Sequence, residues 1–225
     1  MTRVKICGIT ALEDAHQAVE LGAWALGMIF WPQSARACPL EQAEAIGAQL
    51  HRRVELTGVF VNATLDEVAS TADVCRFTQL QLHGDEGPSY CQEAARRTGC
   101  RVIKAARVRD AAQVQALRAY RTDYHLLDAH SDRSPGGTGE SFDWELARLH
   151  PRTPPVILSG GLTPDNVGQA ITASAPFAVD TASGTEAEPG RKDPAKVTAF
   201  FRAVEAADPV VASCAGGRAR GGACA

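Results

Sequence analysis

Eight short apolar runs, each followed by a stretch with helical spacing, constrain this chain more than anything else in it. The runs are Val4–Cys7, Ala25–Phe30, Leu56–Val61, Thr78–Leu82, Val102–Ala105, Tyr124–Asp128, Val156–Ser159 and Phe177–Thr181. The segments between them gather apolar residues on one helical face, as Leu12, Ala15, Ala18, Val19 and Leu21 do before the stop at Gly22. Further helices are expected over Pro39–His51, Leu65–Thr71, Pro88–Arg97, Ala111–Ala119, Phe142–Leu149, Pro164–Ala173 and Pro194–Ala206. Thr163 reads as an N-cap with Pro164 as the first helical residue, and Asp193 caps the last helix.

Strands this short, this continuously apolar and rich in β-branched residues belong in a parallel sheet covered on both faces. Strict strand–helix alternation leaves two architectures, an open doubly wound sheet or a closed barrel. The count of eight, and the lack of G-x-G-x-x-G after the first strand, favour the barrel. The expected fold class is therefore α/β, a single (β/α)8 TIM barrel of eight parallel strands over residues 1–206. The rest, 207–225, is rich in Gly and Ala, has little to bury beyond Val210-Val211, and is expected to be a disordered tail.

The net charge of −3 argues against nucleic acid or an anionic membrane as partner. No apolar run approaches the roughly 18 residues of a membrane span. MTRVKICGIT enters a strand directly, without the apolar region of a signal peptide, so a cytoplasmic protein is expected. The seven cysteines form no C-x-x-C pair and join no histidines at metal-ligand spacing, so neither a disulfide framework nor a metal site is expected.

A barrel brings its functional loops to one rim, which makes neighbours of distant residues. The ends of the expected strands supply Cys7 (strand one), Arg36 (loop two), Asp128 (strand six), Gly160-Gly161 (loop seven) and Ser183-Gly184 (loop eight). Glycine loops after strands seven and eight, each near a helix N-terminus, can cradle a phosphate with backbone N–H groups. Arg36 offers a donor fork for a carboxylate. Cys7 and Asp128 stand on opposite sides of the mouth, as a base and an acid must if they exchange protons with different atoms of one substrate. After Asp128 comes Pro135-Gly136-Gly137-Thr138-Gly139, a backbone in which Gly137 can lie against a ligand or a neighbouring strand, unless the loop is only a tight surface turn. His83 ends strand four and either lines the site or orients structure. Lys104 within strand five either points toward a ligand or is a buried structural lysine.

Together these stretches resemble phosphoribosylanthranilate isomerase. The resemblance is carried by K-I-C-G-I-T at Lys5–Thr10, F-W-P-Q-S-A-R at Phe30–Arg36, Q-L-H-G at Gln81–Gly84, I-K-A at Ile103–Ala105 and G-G-T-G-x-x-F-D-W ending at Trp144. S-G-G-L-T-P-x-N-V at Ser159–Val167 and D-T-A-S-G-T-E with P-G-R-K-D, between Asp180 and Asp193, complete it. It implies an Amadori rearrangement of N-(5′-phosphoribosyl)anthranilate in tryptophan biosynthesis, with no metal or cofactor. It further implies Asp128 as general acid, Cys7 as general base, Arg36 on the anthranilate carboxylate and the two glycine loops on the phosphate. Gln33 and Ala35 stand where the family usually has Lys and Pro, and Ala182 replaces one of two serines, which leaves the phosphate to backbone donors. A monomer is the expectation, with a homodimer as the alternative. The rival reading from a different class is a non-catalytic barrel that binds a phosphoribosyl ligand, with Cys7 and Asp128 merely packed.

Overall fold

The structure, a computed structural model, describes residues 1–128 and 144–207. Eight strands, β1 (Arg3–Cys7), β2 (Ala25–Ile29), β3 (Glu55–Phe60), β4 (Gln79–Leu82), β5 (Arg101–Arg107), β6 (Tyr124–Asp128), β7 (Val156–Ser159) and β8 (Ala178–Thr181), form a closed parallel barrel. Closure comes from β8 returning to β1, with Val4 beside Val179 and Lys5 beside Asp180. Around it run α1 (Leu12–Glu20), α2 (Leu40–Leu50), α3 (Leu65–Val74), α4 (Pro88–Thr98), α5 (Ala111–Ala116), α6 (Val167–Ser174) and α7 (Pro194–Ala207). No helix among the described residues is long and apolar enough to cross a membrane.

The strands' two-residue period builds two cores. Ile6, Leu26, Met28, Leu56, Leu80 and Leu158 face outward into the layer shared with the helices. Ile103, Ala105, Leu126, Ile157 and Ala178 fill the barrel interior. At the end where the strands begin, Trp24, Tyr124 and Phe177 seal that interior, each ring 5.3–5.4 Å from the next. Toward the other end the inward positions turn polar: Lys5, Thr57, Gln79, Gln81 and Asp180 are all buried. The apolar half of the barrel is a plug, and the polar half supports a site.

Several expectations need correction. Helix α6 starts at Val167, not Pro164, because the Asn166 side chain takes the Thr163 N–H at 2.8 Å and holds residues 163–166 as a separate turn. The segment expected as a helix over Phe142–Leu149 is a 3-10 helix at Trp144–Leu149, and Phe142 and Asp143 lie outside the described residues. A short hairpin, β9 (Glu186–Glu188) with β10 (Arg191–Lys192), was not expected at all. Asp193 does cap α7, accepting from the N–H groups of Ala195 and Lys196. The tail from Asp208 lies outside the described residues.

Candidate active site

At the carboxyl end of the barrel a cavity of about 240 Å³ is lined by Cys7, Arg36, His83, Asp128, Gly160, Gly161 and Ser183, among others. The structure thus gathers these residues from the ends of strands one and six, from the residue just after strand four, and from loops two, seven and eight. Gly184 adjoins them in a 3-10 turn, Ser183–Thr185. Gly137 lies outside the described residues.

Cys7 closes β1 on its inner face and is buried. Burial pushes its thiol up, while the nearby ammonium groups of Lys5 and Lys192 pull it back toward the thiolate. Its backbone carbonyl accepts from Lys192 Nζ at 2.7 Å. The other four described cysteines are free and buried as well. Cys38 and Cys75 are pushed up to about 12 and about 11 by burial, as suits inert packing thiols.

Asp128 ends β6 with its carboxylate 16% exposed. His83 Nε2 stands 3.2 Å from Asp128 Oδ2, and Gln81 Nε2 stands 3.0 Å from His83 Nδ1. The Gln81 amide and the Asp128 carboxylate thus bracket the imidazole, one at each ring nitrogen. Gln81 Oε1 is buried without a hydrogen-bond partner among the described residues. His83 therefore lines the site rather than merely orienting structure.

Arg36 is held by a partner that the sequence did not suggest. Its Nε and Nη2 donate to the Glu186 carboxylate at 2.8–2.9 Å in a fork geometry. Glu186 also lies 3.3 Å from Lys192 Nζ, which is itself almost fully buried. Burial works against the Glu186 charge, yet Arg36 and Lys192 hold its carboxyl below the usual range. Lys192 is lowered by its own burial, opposed by Glu186. The hairpin thus fixes the arginine fork from behind, and Nη1 has no partner among the described residues. The Pro189-Gly190 turn was the sequence signal for this hairpin, but its charged flanks hid the pairing.

The two glycine loops are shaped for backbone donation. Gly160 and Gly161 have φ of 98° and 65°, left-handed values that side chains resist. Their N–H groups have no backbone acceptor among the described residues. Asn166 braces the loop, donating to the Gly161 carbonyl at 3.0 Å while accepting from Thr163. At Gly184 any β-carbon would overlap the Leu162 carbonyl, so loops seven and eight touch through bare backbone. The N–H groups of Ser183 and Gly184 have no backbone acceptor among the described residues either.

Lys104 belongs to the structural reading. It alternates with the inward Ile103 and Ala105, and its ammonium bonds the Gly84 carbonyl at 2.7 Å and Glu86 at 2.9 Å. Beside it, over β3 to β5, a second cavity of about 570 Å³ shares His83 with the first.

Residues 4–203 match the family model described as N-(5′phosphoribosyl)anthranilate (PRA) isomerase. The chain is 50% identical over 206 residues to the N-(5′-phosphoribosyl)anthranilate isomerase of Geobacter metallireducens, covering 92% of this chain and 100% of that protein. The crystal structure of phosphoribosyl anthranilate isomerase from Thermotoga maritima superposes with a TM-score of 0.81 at 38% identity, over 92% of this chain and 100% of that one. A phosphoribosyl anthranilate isomerase structure in complex with reduced 1-(o-carboxyphenylamino)-1-deoxyribulose 5-phosphate gives 0.79 at 37%, with the same coverage.

Proposed function

Since the chain belongs to the N-(5′-phosphoribosyl)anthranilate isomerase family, we propose that Cys7 and Asp128 divide between them the proton transfers of its reaction. The protein is an isomerase of tryptophan biosynthesis, converting N-(5′-phosphoribosyl)anthranilate to 1-(2-carboxyphenylamino)-1-deoxyribulose 5-phosphate. What supports the division is that Cys7 and Asp128, from strands on opposite sides of the barrel, line one cavity under both glycine loops.

In the proposed sequence the Asp128 carboxyl gives its proton to the furanose ring oxygen. The C1′–O bond breaks and the anilino nitrogen lone pair forms the C1′=N bond of a Schiff base. The Cys7 thiolate then removes the C2′ proton, and the electrons of that C–H bond give the enolamine. Loss of the C2′ hydroxyl proton and gain of one at C1′ yield the ketose, so the product is an isomer of the substrate. A positioned acid or base of this kind contributes about 10²–10⁴-fold each. Arg36 would meet the anthranilate carboxylate with Nη1, its remaining donor edge, and His83 would contact the substrate beside Asp128. The phosphate would rest on the backbone of Gly160, Gly161, Ser183 and Gly184; Gly137, outside the described residues, is proposed as a further substrate contact. No metal or cofactor takes part in this scheme. We also take the protein to work in the cytoplasm as a monomer. The exposed large apolar side chains among the described residues, Met1, Leu40, Val74 and Leu149, sit on four separate segments.

The test is the loss of anthranilate fluorescence when purified protein meets freshly prepared phosphoribosylanthranilate, with Cys7→Ala alongside. Turnover in the native chain that disappears in the variant supports the reading. Binding of a product analogue with no turnover in the native chain would favour the non-catalytic barrel.

A further inference from the structure

Behind the Cys7 sulfur lies a buried ammonium that the reaction scheme does not use. Lys5 precedes Cys7 by two residues on β1, so both side chains project from the inner face of the barrel. The Lys5 side chain is 0% exposed, and its Nζ donates to Asp180 Oδ1 at 2.7 Å. The other oxygen of Asp180 accepts from Ser159 Oγ at 3.0 Å. A β-carbon on Gly27 would lie 2.8 Å from Cys7 Sγ and 3.1 Å from Lys5 Nζ. Sulfur and ammonium therefore converge on the one neighbouring residue that has no side chain.

The charges around the sulfur are uneven. Lys5 on β1, Lys192 on β10 and Arg36 on loop two are cations, while Asp180 on β8 and Glu186 on β9 are the carboxylates they contact. With a neutral thiol, and with Asp128 across the cavity holding the proton its proposed role requires, this group carries one positive charge in excess, and burying excess charge is costly. Ionising Cys7 would neutralise it.

We propose that Lys5 is the positioning residue that makes Cys7 usable as a base, sharing its ammonium between Asp180 and the thiolate. The inference rests on Cys7 acting as the base. The thiol proton leaves to solvent through the open cavity, and sulfur keeps the electron pair with which it later takes the C2′ proton. Lys5 keeps all its protons throughout. In support, burial opposes the Lys5 charge, yet Asp180 and Cys7 hold it above its ordinary value.

The test is the pH dependence of Cys7 alkylation by iodoacetamide, read by mass spectrometry of the Cys7 peptide, with kcat and KM measured in parallel. Lys5→Met should move the alkylation midpoint up by a unit or more, cutting the rate at neutral pH about tenfold or more. Its kcat should fall at least as far, with KM within roughly threefold. Asp180→Asn should move the midpoint the opposite way, because it removes both a competitor for the ammonium and a negative charge beside the sulfur. A purely structural ion pair predicts no such opposition. An unchanged midpoint in Lys5→Met, or an unchanged or raised one in Asp180→Asn, overturns the inference. If Lys5→Met does not fold, Asp180→Asn and Gly27→Ala carry the test, the latter wedging the pair apart and raising the midpoint. Normal turnover in Cys7→Ala would instead remove the base assignment on which the inference rests, whatever the alkylation shows.

Discussion

His83 Nε2 lies 3.2 Å from the Oδ2 of Asp128, and Gln81 on β4 braces the other ring nitrogen at 3.0 Å. A ring at that distance holds the carboxyl in place for the proposed proton transfer, so His83→Phe should lower kcat by about tenfold with KM within roughly threefold. A kcat within about twofold of the native value in steady-state kinetics would separate His83 from the acid.

Cys7→Ala and Asp128→Asn should each lower kcat by ~10²-fold or more while KM changes little, as expected for groups that act mainly in the transition state. Steady-state fluorescence kinetics reads both parameters. Near-native turnover in either variant would falsify the role given to that residue.

Glu186→Ala should act on two levels. It releases the Arg36 fork and leaves the Lys192 ammonium buried without its carboxylate, a loss of roughly 3–5 kcal/mol when one partner of a buried pair is removed. KM should rise about tenfold or more in the folded fraction, and chemical denaturation should show the stability loss. Arg36→Ala should reproduce the rise in KM with a much smaller change in stability, since its side chain is 27% exposed.

His125 and His150 face each other in the core, with His125 Nδ1 2.8 Å from His150 Nε2. Burial, then the neighbouring His150, lower His125 to about 4. A histidine lowered on folding is neutral in the native state and protonates first in the unfolded one. Stability is therefore fully present above the unfolded value near 6.5 and is lost as pH falls from there toward about 4. The melting temperature should drop over that window, and His125→Gln should flatten the drop. A native-like slope in that variant would assign the acid sensitivity elsewhere.

Gly184→Ala should disturb binding more than chemistry. Its new methyl group cannot coexist with the Leu162 carbonyl, so loops seven and eight must separate. A KM for the phosphorylated substrate up by about tenfold, with kcat within a few fold, would be the signature. Inorganic phosphate should lose potency as a competitive inhibitor in proportion.

The barrel was legible because its strands are short β-branched runs buried on both faces, and their order around the sheet follows the order of the chain. The rim residues were legible through their position at strand ends. What escaped depends on partners far away in sequence. Glu186 and Lys192 look like solvated charges flanking a Pro-Gly turn until Arg36 and the Cys7 carbonyl are placed against them. Lys5 looks like an interruption in an apolar strand until β8 closes on β1 and sets Asp180 beside it. The start of α6 was misplaced because Thr163 and Pro164 carry capping signals of their own, and only the Asn166 side chain shows that a turn intervenes. The reading of Gly137 concerns residues outside those described.

The bond from Lys192 to the Cys7 carbonyl also has a meaning in time. A ribosome makes the N-terminal strand first and the lysine that braces it nearly last. All eight barrel strands can be in hand while the proposed base still lacks this support and Arg36 still lacks its carboxylate. Catalytic competence on this plan arrives all at once, when the final hairpin docks, and a prematurely terminated product would be a barrel fragment with no working centre.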